Sequence, residues 1–256
     1  MKLGLLSAAC GTAFTFLMTT LGAAVVLLFR KCAGGKSQKA FLGFASGVMI
    51  AASIWSLIIP CVEKAEESGM RGYIPAAGGF ILGVIFMLIF DRIITHFQKS
   101  KTSGTVLLIT AITVHNIPEG MAVGLSFALA ALSGGKDFAA FAPAIALALG
   151  IGIQNFPEGA AVSLPLRQNG MSCKKALGIG ALSGIVEPIF GILAVLIAGV
   201  LVPYLPWLLS FAAGAMLYVV VEELVPEAHD GEYGKVGTIG AMAGFLIMMV
   251  LDIALG

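Results

Sequence analysis

Two near-copies of one six-residue string hold the side chains able to do chemistry: His115-Asn116-Ile117-Pro118-Glu119-Gly120 and Gln154-Asn155-Phe156-Pro157-Glu158-Gly159. In a helix, residues four apart share a face, so His115 and Glu119 point the same way, as do Gln154 and Glu158. Asn116 and Asn155 lie one position further round, three residues before the same glutamates. Each glutamate can thus be shared between two adjacent positions, a natural way to bridge two cations. Pro118 and Pro157 have no N–H, which frees the carbonyls of Val114 and Ile153 from their usual helical partners. A third carboxylate, Glu187, followed by Pro188, interrupts an otherwise apolar run from Leu182 to Val186. Imidazole, amide and carboxylate without thiolate suit zinc, cadmium, iron(II) or manganese, and disfavour copper(I).

These groups sit in apolar segments of membrane-spanning length. An ionisable side chain at the centre of such a helix costs roughly 2.5–3.5 kcal/mol, so the three glutamates uncompensated would cost roughly 7–10 kcal/mol together. A bound divalent cation offsets much of that, and protonation does so in the empty state. The chain is 59% hydrophobic and 11% charged, with a mean hydropathy of +1.00, far from the balance of a soluble domain. A net charge of +1 leaves no basic face for nucleic acid. Cys10, Cys32, Cys61 and Cys173 are scattered, with no CxxC pair and no disulfide framework.

The elements that must position the motifs are membrane helices, each near or above the ~20 residues needed to cross a bilayer. Eight spans are expected, at about 3–29, 38–62, 73–95, 104–132, 138–165, 173–200, 204–225 and 235–255. The first is too long for a signal-peptide core and reads as a retained helix. Connections are short and carry Gly, Pro and charge, so residues 1–256 are expected as a single all-α transmembrane domain. Lysine and arginine concentrate in connections one, three, five and seven (Arg30, Lys31, Lys36, Lys39, Arg92, Lys99, Lys101, Arg167, Lys174, Lys175, Lys235). Only Lys2, Lys64, Arg71 and Lys136 fall on the other side, which places both termini outside. On that outer side Glu63, Glu66 and Glu67 either gather cations or form an ordinary solvated loop.

The paired HNxPEG and xNxPEG motifs, with eight spans and both termini outside, make the whole chain resemble the ZIP family of metal transporters, in its compact form. The resemblance implies inverted three-helix repeats around a central helix pair, and alternating access with spans one, four, five and six moving against two, three, seven and eight. It implies a binuclear site halfway across the membrane. One metal would be held by His115, Glu119, Gln154 and Glu158. The other would be held by Asn116, Glu119, Asn155, Glu158 and Glu187, with Glu119 and Glu158 bridging. Gln154 replaces a histidine, and Asn155 an aspartate, found in other members, which weakens the zinc preference and removes a charge from the second position. The short connection between spans three and four, holding only His96, points to a bacterial or archaeal cytoplasmic membrane.

Glu222 and Glu223 end span seven, and Glu227, His229, Asp230 and Glu232 follow. Glu223, Glu227 and His229 are candidate exit ligands, with an exposed acidic loop as the alternative. No nucleotide-binding motif appears, so ATP coupling is unsupported. Metal is expected as substrate, with no cofactor and no enzymatic activity, and with the lipid bilayer and a second copy in a homodimer as partners. Two rivals are an intramembrane metalloprotease and a proton-coupled carrier of an organic solute. The first needs an HExxH helix, which this chain lacks among its three histidines. The second needs a roomier polar cavity than these clustered ligands suggest.

Overall fold

Long apolar stretches bounded by Gly, Pro and charge fold as long helices. The computed structural model describes residues 2–28, 35–97, 103–132 and 138–255, and within these all side chains except those of 94–97, 103–108, 111, 138 and 255. The orienting charges Arg30, Lys31, Lys99, Lys101 and Lys136 and the His96 side chain lie outside the described residues. The helices are α1 (Lys2–Leu27), α2 (Gly35–Glu67), α3 (Tyr73–Phe97), α4 (Ser103–Leu132), α5 (Phe138–Gln168), α6 (Cys173–Leu196), α7 (Ala198–His229) and α8 (Gly234–Leu255). No strand occurs among the described residues. Among the described residues seven helices are long and apolar enough to cross a bilayer. The remaining one, α4, is 30 residues long and carries the first motif. The chain is an all-α polytopic membrane protein.

Two boundaries differ from the sequence expectation. The seam between spans six and seven falls at Ile197, whose backbone (φ −109°, ψ 18°) leaves the helix, rather than at residues 200–204. Helices α2 and α7 run on to Glu67 and His229, beyond the expected 62 and 225. Both contain a widened π-turn, Ser53–Ile58 in α2 and Val220–Leu224 in α7, with Pro60 and Pro226 just beyond. A proline there has no N–H to donate, and such wide turns are often found at functional positions.

Glycines determine how the helices group. Helix α2 packs along α8, and α3 along α7. Helix α1 packs on α5 and α4 on α6, while α1 also meets α4 and α6, α5 meets α6, and α4 meets α5. The two groups join where α2 meets α5 and α7 meets α4. Exchanging α1 with α6, α2 with α7, α3 with α8 and α4 with α5 maps this set of contacts onto itself. Local packing repeats the relation. A methyl group at Gly83 of α3 would fall on the backbone of Phe211 and Ala215 in α7, and one at Gly244 of α8 on that of Phe44 and Val48 in α2. Both receiving segments read alike, Phe44-Ala45-Ser46-Gly47-Val48-Met49 and Phe211-Ala212-Ala213-Gly214-Ala215-Met216. Partners separated by five crossings run in opposite directions, so the repeat is inverted about the α4–α5 pair.

Candidate metal site

Helices α4 and α5 continue through Pro118 and Pro157 without ending, and carry the two motifs face to face. Glycine after each glutamate makes this possible. A methyl group on Gly120 would strike the backbone of Glu187 in α6, and one on Gly159 the carbonyl of Thr19 in α1. The motif helices are therefore held against their outer neighbours in matching ways. Helix α6 is itself broken, with its first half ending at Ser183 and its second starting at Val186. Glu187 lies in the first turn of that second half, where the helix dipole favours a carboxylate.

All seven expected ligands are fully buried: His115, Asn116, Glu119, Gln154, Asn155, Glu158 and Glu187. Ligand atoms of His115, Glu119 and Glu158 lie within 4.8 Å of one another. The two motifs brace each other crosswise. His115 Nε2 is 3.4 Å from Glu158 Oε1, and Gln154 Nε2 donates to Glu119 Oε1 at 2.5 Å. Gln154 Nε2 also faces Met216 Sδ of α7 at 3.6 Å. Glu187 stands slightly apart, its Oε2 accepting from Asn155 Nδ2 at 2.8 Å and its Oε1 from Thr19 Oγ1 at 3.3 Å.

The site has an excess of acceptors. Glu119 Oε2, Gln154 Oε1, Asn155 Oδ1 and Glu158 Oε1 are buried oxygens without a hydrogen bond. One arm of the Asn116 amide lies 3.3 Å from Glu158 Oε2 and 3.1 Å from His115 Nε2. As nitrogen that arm donates to both; as oxygen it joins the ring of acceptors. Buried acceptors are normally paired. A cluster of them around one imidazole has the donor chemistry of a transition-metal site.

Beyond the cluster, a cavity of about 580 Å³ is lined by Trp55, Ser56, Glu63, Glu67, Ile153 and Asp252, among others, and so reaches the residue before Gln154. Asp252 Oδ1 accepts from Ser56 Oγ at 2.8 Å, and Oδ2 has no hydrogen bond. Glu63 and Glu67 thus line the cavity, with Glu67 also pairing Lys64 at 2.8 Å, whereas Glu66 does not line it. At the other end, Glu223 is half-buried in the π-turn of α7. Glu227 takes Lys39, through its carboxylate at 3.8 Å and through its backbone carbonyl. His229 Nδ1 meets Thr238 Oγ1 at 3.3 Å. Among the described residues these three do not close into a ligand group.

Sequence reasoning missed Thr19, Met216, Ser56 and Asp252. A lone carboxylate in the last apolar span was a usable signal for Asp252. Threonine and methionine in a membrane helix give none.

The fold defines a polytopic membrane protein with a buried cluster of candidate metal ligands between its two central helices. The chain belongs to the ZIP zinc transporter family, whose model matches residues 97–252. It is 37% identical to the zinc transporter ZIP11 of Xenopus tropicalis over 96% of both chains. It is also 37% identical to the zinc transporter GufA of Myxococcus xanthus, over 93% of this chain and 94% of that one. To the zinc transporter ZIPB of Bordetella bronchiseptica it is again 37% identical, over 97% of this chain and 81% of the relative. Its relatives are named as transporters, not enzymes.

Proposed function

We propose that this chain carries divalent transition-metal cations, zinc foremost with iron(II), manganese and cadmium as alternatives, across the cytoplasmic membrane into the cell. The observation that carries the reading is the set of four buried oxygens beside His115 that accept no hydrogen bond. They include both bridging carboxylates and one amide oxygen from each position, which is the donor set two adjacent cations need. The first metal takes His115, Glu119, Gln154 and Glu158. The second takes Asn116, Asn155 and Glu187 with the same two bridges.

Cations enter through the cavity that Glu63, Glu67 and Asp252 make acidic, and leave past Glu223 toward Glu227 and His229. Alternating access is a movement of α1, α4, α5 and α6 against α2, α3, α7 and α8. Among the described residues the largest contacts between those groups are α2 on α5 and α7 on α4, with smaller ones of α3 on α4 and α8 on α5, so few interfaces must slide. Both termini lie outside, and the exposed apolar side chains of α3, Ile81, Ile85 and Ile89, face lipid or a second copy.

Metal influx into proteoliposomes tests this reading, with wild type compared to the His115→Ala/Glu119→Ala double variant under an inward gradient of zinc, iron(II), manganese or cadmium. Saturable influx that the double variant loses is expected. Influx of none of these metals would sink it.

A further inference from the structure

We infer that Thr19 of α1 is a positioning residue for the second metal position, holding the Glu187 carboxylate where it can reach a cation; this rests on the transport reading above. Glu187 Oε2 accepts from Asn155 Nδ2 at 2.8 Å and Oε1 from Thr19 Oγ1 at 3.3 Å, and the Thr15 side chain, one turn before Thr19, also faces this carboxylate. Both partners are fully buried. A carboxylate oxygen has two lone pairs, so each can keep its donor and still ligate a metal. Asn155 and Thr19 hold the two oxygens from opposite sides, with Thr15 beside Thr19, and so fix the carboxylate plane before any cation arrives and lessen the cost of a third buried negative charge beside Glu119 and Glu158.

Space for the hydroxyl is reserved. A methyl group at Gly184, in the break of α6, would come within 2.9 Å of the Thr19 hydroxyl oxygen and Cβ and 3.0 Å of its Cγ2. The inverted repeat explains the pairing. Gly159 lies against the Thr19 backbone as Gly120 lies against that of Glu187, so Thr19 holds in α1 the place that Glu187 holds in α6. A carboxylate on one side thus meets a hydroxyl on the other.

The bland alternative is that Thr19 merely bonds its own helix, since its hydroxyl also lies 3.3 Å from the Thr15 carbonyl. Thr20 provides the control. Its hydroxyl bonds the Phe16 carbonyl at 2.9 Å and no site residue. Partners that orient metal ligands typically govern affinity by roughly ten- to a hundredfold.

Zinc titration of the purified full chain, resolved into its two binding steps, is the test, with Thr19→Val, Thr19→Ser, Thr20→Val and Glu187→Ala compared to wild type. Thr19→Val is expected to weaken the second step roughly ten- to a hundredfold while sparing the first. Thr19→Ser restores it, Thr20→Val leaves both steps alone, and Thr19→Val has no further effect in the Glu187→Ala background. Equal weakening by Thr20→Val, failure of serine to rescue, tighter binding in Thr19→Val, or an undiminished effect in the Glu187→Ala background would each overturn the inference. So would a wild type that takes a single zinc. A wild type that takes none overturns the transport reading itself.

Discussion

On α4 the residue facing across the site is an imidazole; at the matching place on α5 it is an amide. Each reaches the glutamate of the opposite helix, His115 toward Glu158 at 3.4 Å and Gln154 onto Glu119 at 2.5 Å. The backbone around them is nearly the same, with proline before each glutamate and glycine after it. The chemistry is not. A neutral imidazole nitrogen is a strong ligand, and in the proposed site it would release Glu158 on turning to metal. An amide N–H is a permanent donor that keeps one oxygen of Glu119 occupied and offers metal only its own neutral Oε1. One scaffold repeated with two ligand types gives a site whose halves contribute unequally.

The glutamates are where the halves should behave alike. Glu119→Ala and Glu158→Ala each remove a proposed bridge, and are expected to lower zinc affinity by more than about a hundredfold at both positions, beyond what loss of an outer partner does. Equilibrium dialysis against zinc measures this. If either variant weakened only one position, the shared-bridge arrangement would fail.

His115 and Gln154 are where they should part. His115→Ala is expected to cost the first position on the order of a hundredfold, and Gln154→Ala about tenfold, since a neutral amide oxygen is the poorer zinc ligand. Equal losses would erase the contrast between the helices. Zinc uptake should slow as pH falls, because imidazole and carboxylates must shed protons to bind metal. Gln154→His sharpens the comparison by adding a second imidazole. It is expected to tighten zinc binding near neutral pH and to make uptake fall more steeply with acid, as measured from pH 7.5 down to about 5.5.

Packing should again treat the halves alike. Gly120→Ala drives a methyl group onto the Glu187 backbone, and Gly159→Ala drives one onto Thr19. Each is expected to destabilise the fold by about 1–3 kcal/mol, as overpacking does, read as a similar drop in the detergent melting temperature. A large loss in one and none in the other would mean that the two close approaches are not equivalent.

Much of this could be read from residue types. Charged or amide side chains are costly inside apolar spans, so the two motifs and Glu187 stand out against their surroundings. The spans themselves follow from length and hydropathy. The seam at Ile197 was not legible, because an apolar run continues across it and only the backbone turns. The π-turns of α2 and α7 were equally hidden, since a proline signals a lost donor without saying how the helix widens to absorb it. Thr19 escaped because a hydroxyl in lipid usually bonds its own helix. Its contact is with Glu187, 168 residues away, and forms only once α1 packs on α6. The pairing of Glu227 with Lys39 from α2 was likewise hidden, since spacing along α7 could not reveal it.

Asn155 sets the smallest difference. Its Nδ2 holds Glu187 while its Oδ1 stays unpaired and buried, so the residue joins the second position with two weak contributions and no charge. Asn155→Ala is expected to weaken that position by about tenfold and leave the first unchanged, less than any glutamate variant. Asn155→Asp should act in the opposite direction on the metal-loaded site by adding a charged ligand. In the empty site it places a fourth carboxylate beside Glu187, where the amide had donated a hydrogen bond. The two effects separate by measurement: zinc affinity of the second position rises in Asn155→Asp, while the melting temperature without metal falls. A variant that raised both would show that the amide contributes nothing to holding Glu187, and the difference between this chain and an aspartate-bearing second motif would reduce to charge alone.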